Sequence, residues 1–256
     1  MQTPAHNPAA RPGHMLADLT WREAERVLTR DRVVLLPLGA GAKEHGPHLR
    51  LDNDLRMADY LARRVCDAAD VVVLPTVNYH FYPAFLEYPG STHLNLETSR
   101  DLVIDIVHSV ARHGPRRFYT LNTGVSTKRP LKQAAARLAK DGVLMRFTDI
   151  LGVARAEEER LQEQQRGTHA DELETSMMLY IAPDRVDMGK AQRDDAPQGT
   201  GGLTRDPDGE GTYSPTGAWG DPTLATRAKG EVIVEATVRD LLAEIAALRE
   251  ADVRGD

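Results

Sequence analysis

Two groups of side chains able to do chemistry stand out in the 256-residue chain. Lys43, Glu44, His45, His48, Asp52 and Asp54 crowd into one stretch, and His169, Glu172 and Glu174 into another. Imidazoles and carboxylates converging on one point are what a divalent cation takes as ligands in a hydrolase, with one position left open for water. A lysine or histidine beside them can polarise a carbonyl or hand over a proton. Each residue also has a plainer reading. Lys43 can pair with Glu44 or Asp52 at the surface, His45 and His48 can brace a loop, and His169 can be structural at a helix N-terminus. Ser126 and Thr127 read as pocket hydroxyls, since no adjacent base marks either as a nucleophile.

Positioning these groups is the task of the elements around them. Val33 to Leu38 has no polar interruption, which suits a strand covered on both faces of a parallel sheet. Gly39 and Gly41 then release the backbone, so the first group falls just past the strand's carboxyl end, where open α/β sheets bind ligands. Leu55 to Ala68 has helical spacing and places Asp54 at the helix N-terminus. Strands follow at Val71 to Leu74, Phe118 to Leu121 and Val143 to Phe147, with helices at Glu97 to His113 and Pro130 to Lys140. Thr20 and Glu23 form a capping box for a short helix through Leu28. This alternation predicts a three-layer α/β/α fold with a mostly parallel central sheet.

Farther along, residues 154–166 read as a solvated charged helix or an oligomer contact. Thr168 caps a helix over HADELETSMMLYIA, which Pro183 ends. On that helix His169 and Glu172 stand at i and i+3 and share a face. Glu174, about 160° round from Glu172, anchors backbone or supports the ligands from behind. Residues 187–224, rich in Gly, Pro and Asp, are too long for an idle connection and fold over the site or onto a neighbouring subunit. A last helix runs over roughly 225–249. The loop NYHFYPAFLEYPGST is a lid or an aromatic pocket wall, and residues 1–14 are a mobile tail.

Composition narrows the function classes. A net charge of -6 gives no basic footprint for nucleic acid or an anionic membrane. The lone Cys66 excludes a disulfide framework and a thiolate zinc cluster. No apolar run approaches the ~20 residues that span a bilayer, so a cytoplasmic protein acting on a small molecule is expected.

The stretch PLGAGAKEHGPHLRLDND resembles the signature of the creatininase (creatinine amidohydrolase) family, E-x-H-G-x-H-L-P-L-x-x-D. FYTLNTGVS, HADELETSMMLYIAPDRV and TGAWGDPTLATRAKG fit the family too, in its order, so the likeness runs from about Leu19 to about Leu242. The resemblance implies metal ligation by His45, Asp54 and Glu172, with Glu44 joining them if the loop is shifted by one residue. It also shows departures. Lys43 stands where the family has its first Glu, Gly124 where it has a His, Ser126 where the creatininases proper have a second Glu, and Phe85 where members often carry a His.

Those losses fall on one of the family's two metal positions, so a single divalent ion (Zn, Mn or Fe) is expected, with the Lys43 ammonium in or beside the other. The implied activity is hydrolysis of an amide or cyclic amide. Lys43 stabilises the oxyanion, His169 protonates the leaving group, and Tyr79, Phe81, Ser126 and Thr127 contact the substrate. Creatinine is not the expected substrate, because QEQQRGT replaces the tryptophans expected before His169. The alternatives are hydrolytic or lyase-type ring opening of a cyclic ketone, and a non-catalytic binding relative. A homo-oligomer, a hexamer by family resemblance, completes the expectation.

Overall fold

The computed structural model describes residues 12–253. His14–Met15 forms a short edge strand, β1. Helix α1, Trp21–Val27, starts at the expected capping box: the Thr20 hydroxyl accepts from the Glu23 N–H, and the Glu23 carboxylate accepts from the Thr20 N–H. Then come β2 (Val33–Leu38), α2 (Asn53–Ala68), β3 (Val71–Val73), α3 (Leu96–Ala111), β4 (Arg117–Asn122), α4 (Lys128–Leu138) and β5 (Leu144–Phe147). The second half holds α5 (Arg155–Leu161), α6 (Glu172–Ile181), the two-residue strands β6 (Leu203–Thr204) and β7 (Thr212–Tyr213), and α7 (Arg227–Arg249).

The main sheet runs β1-β3-β2-β4-β5, and every pairing is parallel. All six residues of β2 are buried, as a central strand covered on both faces requires. Successive side chains leave a strand on opposite faces, and the two cores follow from that. Val33 and Leu35 pack with Leu61 and Val65 of α2 and Ile233 and Leu241 of α7, while Val34, Leu36 and Leu38 pack with Val103 of α3 and Leu131 of α4. The result is three layers. No helix among the described residues is long and apolar enough to cross a membrane.

Three expectations need correction. The proposed N-terminal tail gives way at His14, which pairs with Val72 as part of β1, and residues 1–11 lie outside the described part. The charged helix closes at Leu161, short of residue 166. Helix α6 starts at Glu172 and not before His169: Asp171 is its cap, accepting from the Leu173 and Glu174 N–H groups. His169 therefore lies outside the helix. It is held by an antiparallel bridge to Trp219, and the next residue, Ala170, has a φ of 48°. The last helix crosses α6 closely enough that a Cβ on Gly230 would come within 1.8 Å of the Ser176 carbonyl oxygen. That approach brings α7 side chains against the start of α6.

Candidate active site

At the carboxyl end of β2 the chain turns through Lys43 to Asp54, and the start of α6 meets it from the far side. His45 is the pivot. Its Nδ1 lies 2.8 Å from the Lys43 backbone oxygen, which can only accept, so Nδ1 carries a proton. Nε2 then faces Asp54 Oδ1 at 2.9 Å and Glu174 Oε1 at 3.4 Å. A neutral imidazole would present a lone pair to two carboxylate oxygens. Three acceptors around one point call for a cation there, either a proton or a metal. Burial lowers the pKa of His45, but Asp54 and Glu174 outweigh it and the net direction is up.

The other side chains converge on the same point. Glu174 is held by Asn53 Nδ2 on one oxygen (2.8 Å) and the Ala170 N–H on the other (2.7 Å). His169 Nε2 donates to the Glu44 carboxylate and carbonyl, both at 3.0 Å, and its Nδ1 faces Glu174 Oε2 at 3.8 Å. His45, His169 and Glu174 can each offer a ligand atom, all within 4.8 Å of one another. Lys43, 5% exposed, reaches Asp54 Oδ2 at 2.6 Å and lies 4.8 Å from the Phe85 ring centroid. Burial raises the Asp54 carboxyl, and Lys43 and His45 more than reverse this, holding it well below the usual carboxylate range. The donor set, with one imidazole nitrogen fixed by a backbone carbonyl and the other aimed at carboxylates, fits a divalent cation.

A cavity of about 390 Å³ opens onto this cluster. Lys43, His169 and Glu174 reach its surface, with His45 and Asp54 in the layer behind. Gly201, Gly202, Leu203, Thr212 and Trp219 roof it, so the long glycine-rich segment does fold over the site.

The creatininase family profile, described as creatinine amidohydrolase, matches residues 17–245. The chain belongs to the creatininase family. Creatinine amidohydrolase of Pseudomonas putida is 28% identical to it over 246 residues, covering 88% of this chain and 94% of that protein. The mycofactocin precursor peptide peptidase of Mycolicibacterium smegmatis is 29% identical over 208 residues, covering 78% and 79%. Among solved structures, creatininase with Mn has a TM-score of 0.77 at 24% identity, covering 93% of this chain and all of that one. A creatinine amidohydrolase crystal structure has a TM-score of 0.73 at 26% identity, covering 93% and 98%. A mutant creatininase of Zn-Zn type has a TM-score of 0.76. These chains are hydrolases by description, and their sheet is that of the fold above.

Set on this creatininase-family frame, several sequence-predicted residues move. Glu172 is the main correction. Its carboxylate accepts from the Glu163 and Gln164 N–H groups and from Lys229 Nζ at 2.6 Å, and it is absent from the metal-capable group. The cause is the late start of α6, which removes His169 from the helix and with it the shared face. Glu174 takes the inward position instead. Glu44 is near the centre, but its oxygens are taken by His169 and the Gly46 N–H.

The substrate-contact residues also divide. Ser126 lines the cavity, its hydroxyl donating to the Phe81 carbonyl. Tyr79 is 52% exposed and outside the lining. Phe81 packs on His93, and the Thr127 hydroxyl turns to Asn122 and the Gly124 carbonyl. Tyr82 and Phe85, in the loop read as a lid or an aromatic pocket wall, line the cavity, as do Leu173 and Trp219, for which no sequence signal pointed to the site.

Two more buried histidines brace the frame. His48 Nε2 meets the Thr175 hydroxyl at 2.8 Å, tying the signature loop to α6. His80 Nε2 donates to the Ser99 carbonyl. Burial pushes both down to about 4. A histidine neutral when folded binds a proton more readily when unfolded, so its contribution is present above about pH 6.5 and is lost as the pH falls toward 4. For His80 alone the loss between pH 7 and pH 5 is about 2 kcal/mol. Urea unfolding at the two pH values is therefore expected to show the parent losing about that much more on acidification than His80→Gln.

Proposed function

We propose that this chain is a metal-dependent hydrolase of the creatininase type, using one divalent ion (Zn, Mn or Fe) to open an amide or cyclic amide of a small substrate other than creatinine. The observation that carries the reading is the convergence of acceptors on His45 Nε2 with an ammonium close by. His45, His169 and Glu174 would hold the ion, with Asp54 beside them, and a bound ion there supplies Lewis acidity for a carbonyl and lowers the pKa of water.

The rest follows from the chain's own side chains. Lys43 stands at the cavity surface, desolvated, tethered by Asp54 and close to the rings of Phe85 and Tyr82. From there its N–H groups can donate to a carbonyl oxygen as that atom gains charge. It is a fixed cation where the family signature has a carboxylate. Phe85, 4.4 Å from the His169 ring centroid, and Tyr82 keep water from the ammonium and the imidazole. The family resemblance implies His169 as the leaving-group acid, but Nε2 is committed to Glu44 and Nδ1 turns toward Glu174. We reassign it to holding the ion.

A peptide amide is the second reading. The cavity wall of Val125, Ile150, Leu151, Leu173 and Met177 supports it, being roomier and more apolar than a small polar ring needs. Metal analysis of protein purified without added ions tests the main reading. One equivalent per chain, lost in His45→Ala, is the expected result. No metal would leave the non-catalytic relative, and two equivalents would mean that a second position survives without the family's side chains.

A further inference from the structure

Away from the metal-capable cluster, the cavity wall carries a carboxyl that the proposed reaction does not use. Glu158 on α5 lines the cavity, with Gln162 one turn on. Its acidic neighbours all have cations: Glu157 pairs with Arg239 at 2.9 Å, Glu159 with Arg155 at 2.7 Å, and Glu163 with Lys229. No described residue donates to or pairs with the Glu158 side chain.

The nearby charge makes its position more demanding. Asp171, of the same sign, lines the same cavity, and its oxygens are filled by the Leu173 and Glu174 N–H groups and by Gln164. Much of the remaining wall is apolar, with Ile150, Leu151, Val153 and Leu173. A carboxyl in such a place costs free energy when ionised unless a positive group meets it. Burial and Asp171 push Glu158 up to about 7, with Arg155 opposing and Glu159 adding a little.

We propose that Glu158 is a specificity residue that reads the end of the substrate away from the scissile amide and selects an organic cation there, an ammonium or a guanidinium. The cavity then holds two complementary ends, with the Lys43 ammonium toward the carbonyl oxygen and the Glu158 carboxylate toward the substrate's positive group. A guanidinium suits the second end well, because its parallel N–H groups match both oxygens of a carboxylate. Selection of this kind works through unpaired charge as much as through attraction, since a neutral or anionic tail leaves Glu158 desolvated and unmatched. The inference rests on the amide-hydrolase reading for the direction in which the substrate lies.

Three matched amides test it by isothermal titration of the full-length, metal-loaded protein: 4-guanidinobutyramide, its neutral isostere 4-ureidobutyramide, and the anionic glutaric acid monoamide. The parent is expected to bind the guanidinium compound roughly 10- to 100-fold more tightly than the ureido compound. Glu158→Gln should erase that preference, weakening the guanidinium compound while the ureido compound binds at least as tightly as to the parent because the unmatched charge is gone, and Glu158→Lys should turn the preference toward the anionic amide. Equal affinities in the parent, a preference that survives Glu158→Gln, or failure of all three compounds to bind would overturn the proposal. Turnover separates it from the reading beneath: Glu158-dependent binding with no hydrolysis sinks the hydrolase, and hydrolysis with no Glu158-dependent preference sinks only the cation selection.

Discussion

Glu174→Ala is expected to weaken metal binding by more than about 100-fold and abolish turnover, while Glu172→Ala keeps its metal and instead loses about 3–5 kcal/mol of stability. The two residues are two positions apart on the same helix and do opposite jobs. Glu174 has its oxygens fixed by Asn53 and the Ala170 N–H, facing His45 and His169. Truncating it takes a carboxylate from the cluster and leaves two imidazoles. Glu172 is fully buried and clamps α6 to Lys229 of α7 and to the backbone of residues 163 and 164. Its removal leaves two N–H donors without their acceptor and takes from the partly buried Lys229 ammonium its buried carboxylate, so that Glu163 and the Leu224 carbonyl remain. Metal content and a urea midpoint on each variant decide the matter. Loss of the ion in Glu172→Ala, in a protein still folded at the assay temperature, would return Glu172 to the ligand set.

Lys43→Met should lower kcat by about 10²–10³ with the metal retained. Methionine keeps most of the stem and removes the ammonium that faces the cavity. Among the described residues Asp54 then keeps only His45 within ion-pair distance, so some stability goes too. Metal affinity should hold or rise, since a positive charge has left the neighbourhood. Lys43→Arg is not expected to restore the rate: a planar fork does not replace a compact point charge under the rings of Phe85 and Tyr82. Single-turnover kinetics with an amide the parent cleaves would show the effect. An unchanged chemical step would mean that the lysine only neutralises Asp54.

Much of this protein could be read from local pattern. The uninterrupted Val33–Leu38 run, the spacing in α2 and the Thr20–Glu23 capping box each depend on residues near in sequence, and short-range sterics and hydrogen bonds set them. The placing of Lys43, His45 and Asp54 past the carboxyl end of β2 follows from the same local order, strand, glycine turn, helix.

The tertiary structure alone decided which glutamate faces inward. His169 and Glu172 share a face only if the helix already includes His169, and the helix start is set by contacts the local pattern does not contain. Trp219 bridges to His169, Asp171 takes the cap, and Lys229 draws Glu172 outward from 57 positions along the chain. The cavity wall is of the same kind, with Tyr82, Glu158 and Trp219 brought together from three distant segments. Periodicity places a side chain on one face of an element, but the orientation of that element's end depends on what it packs against, and that is settled only when the remote parts of the chain meet.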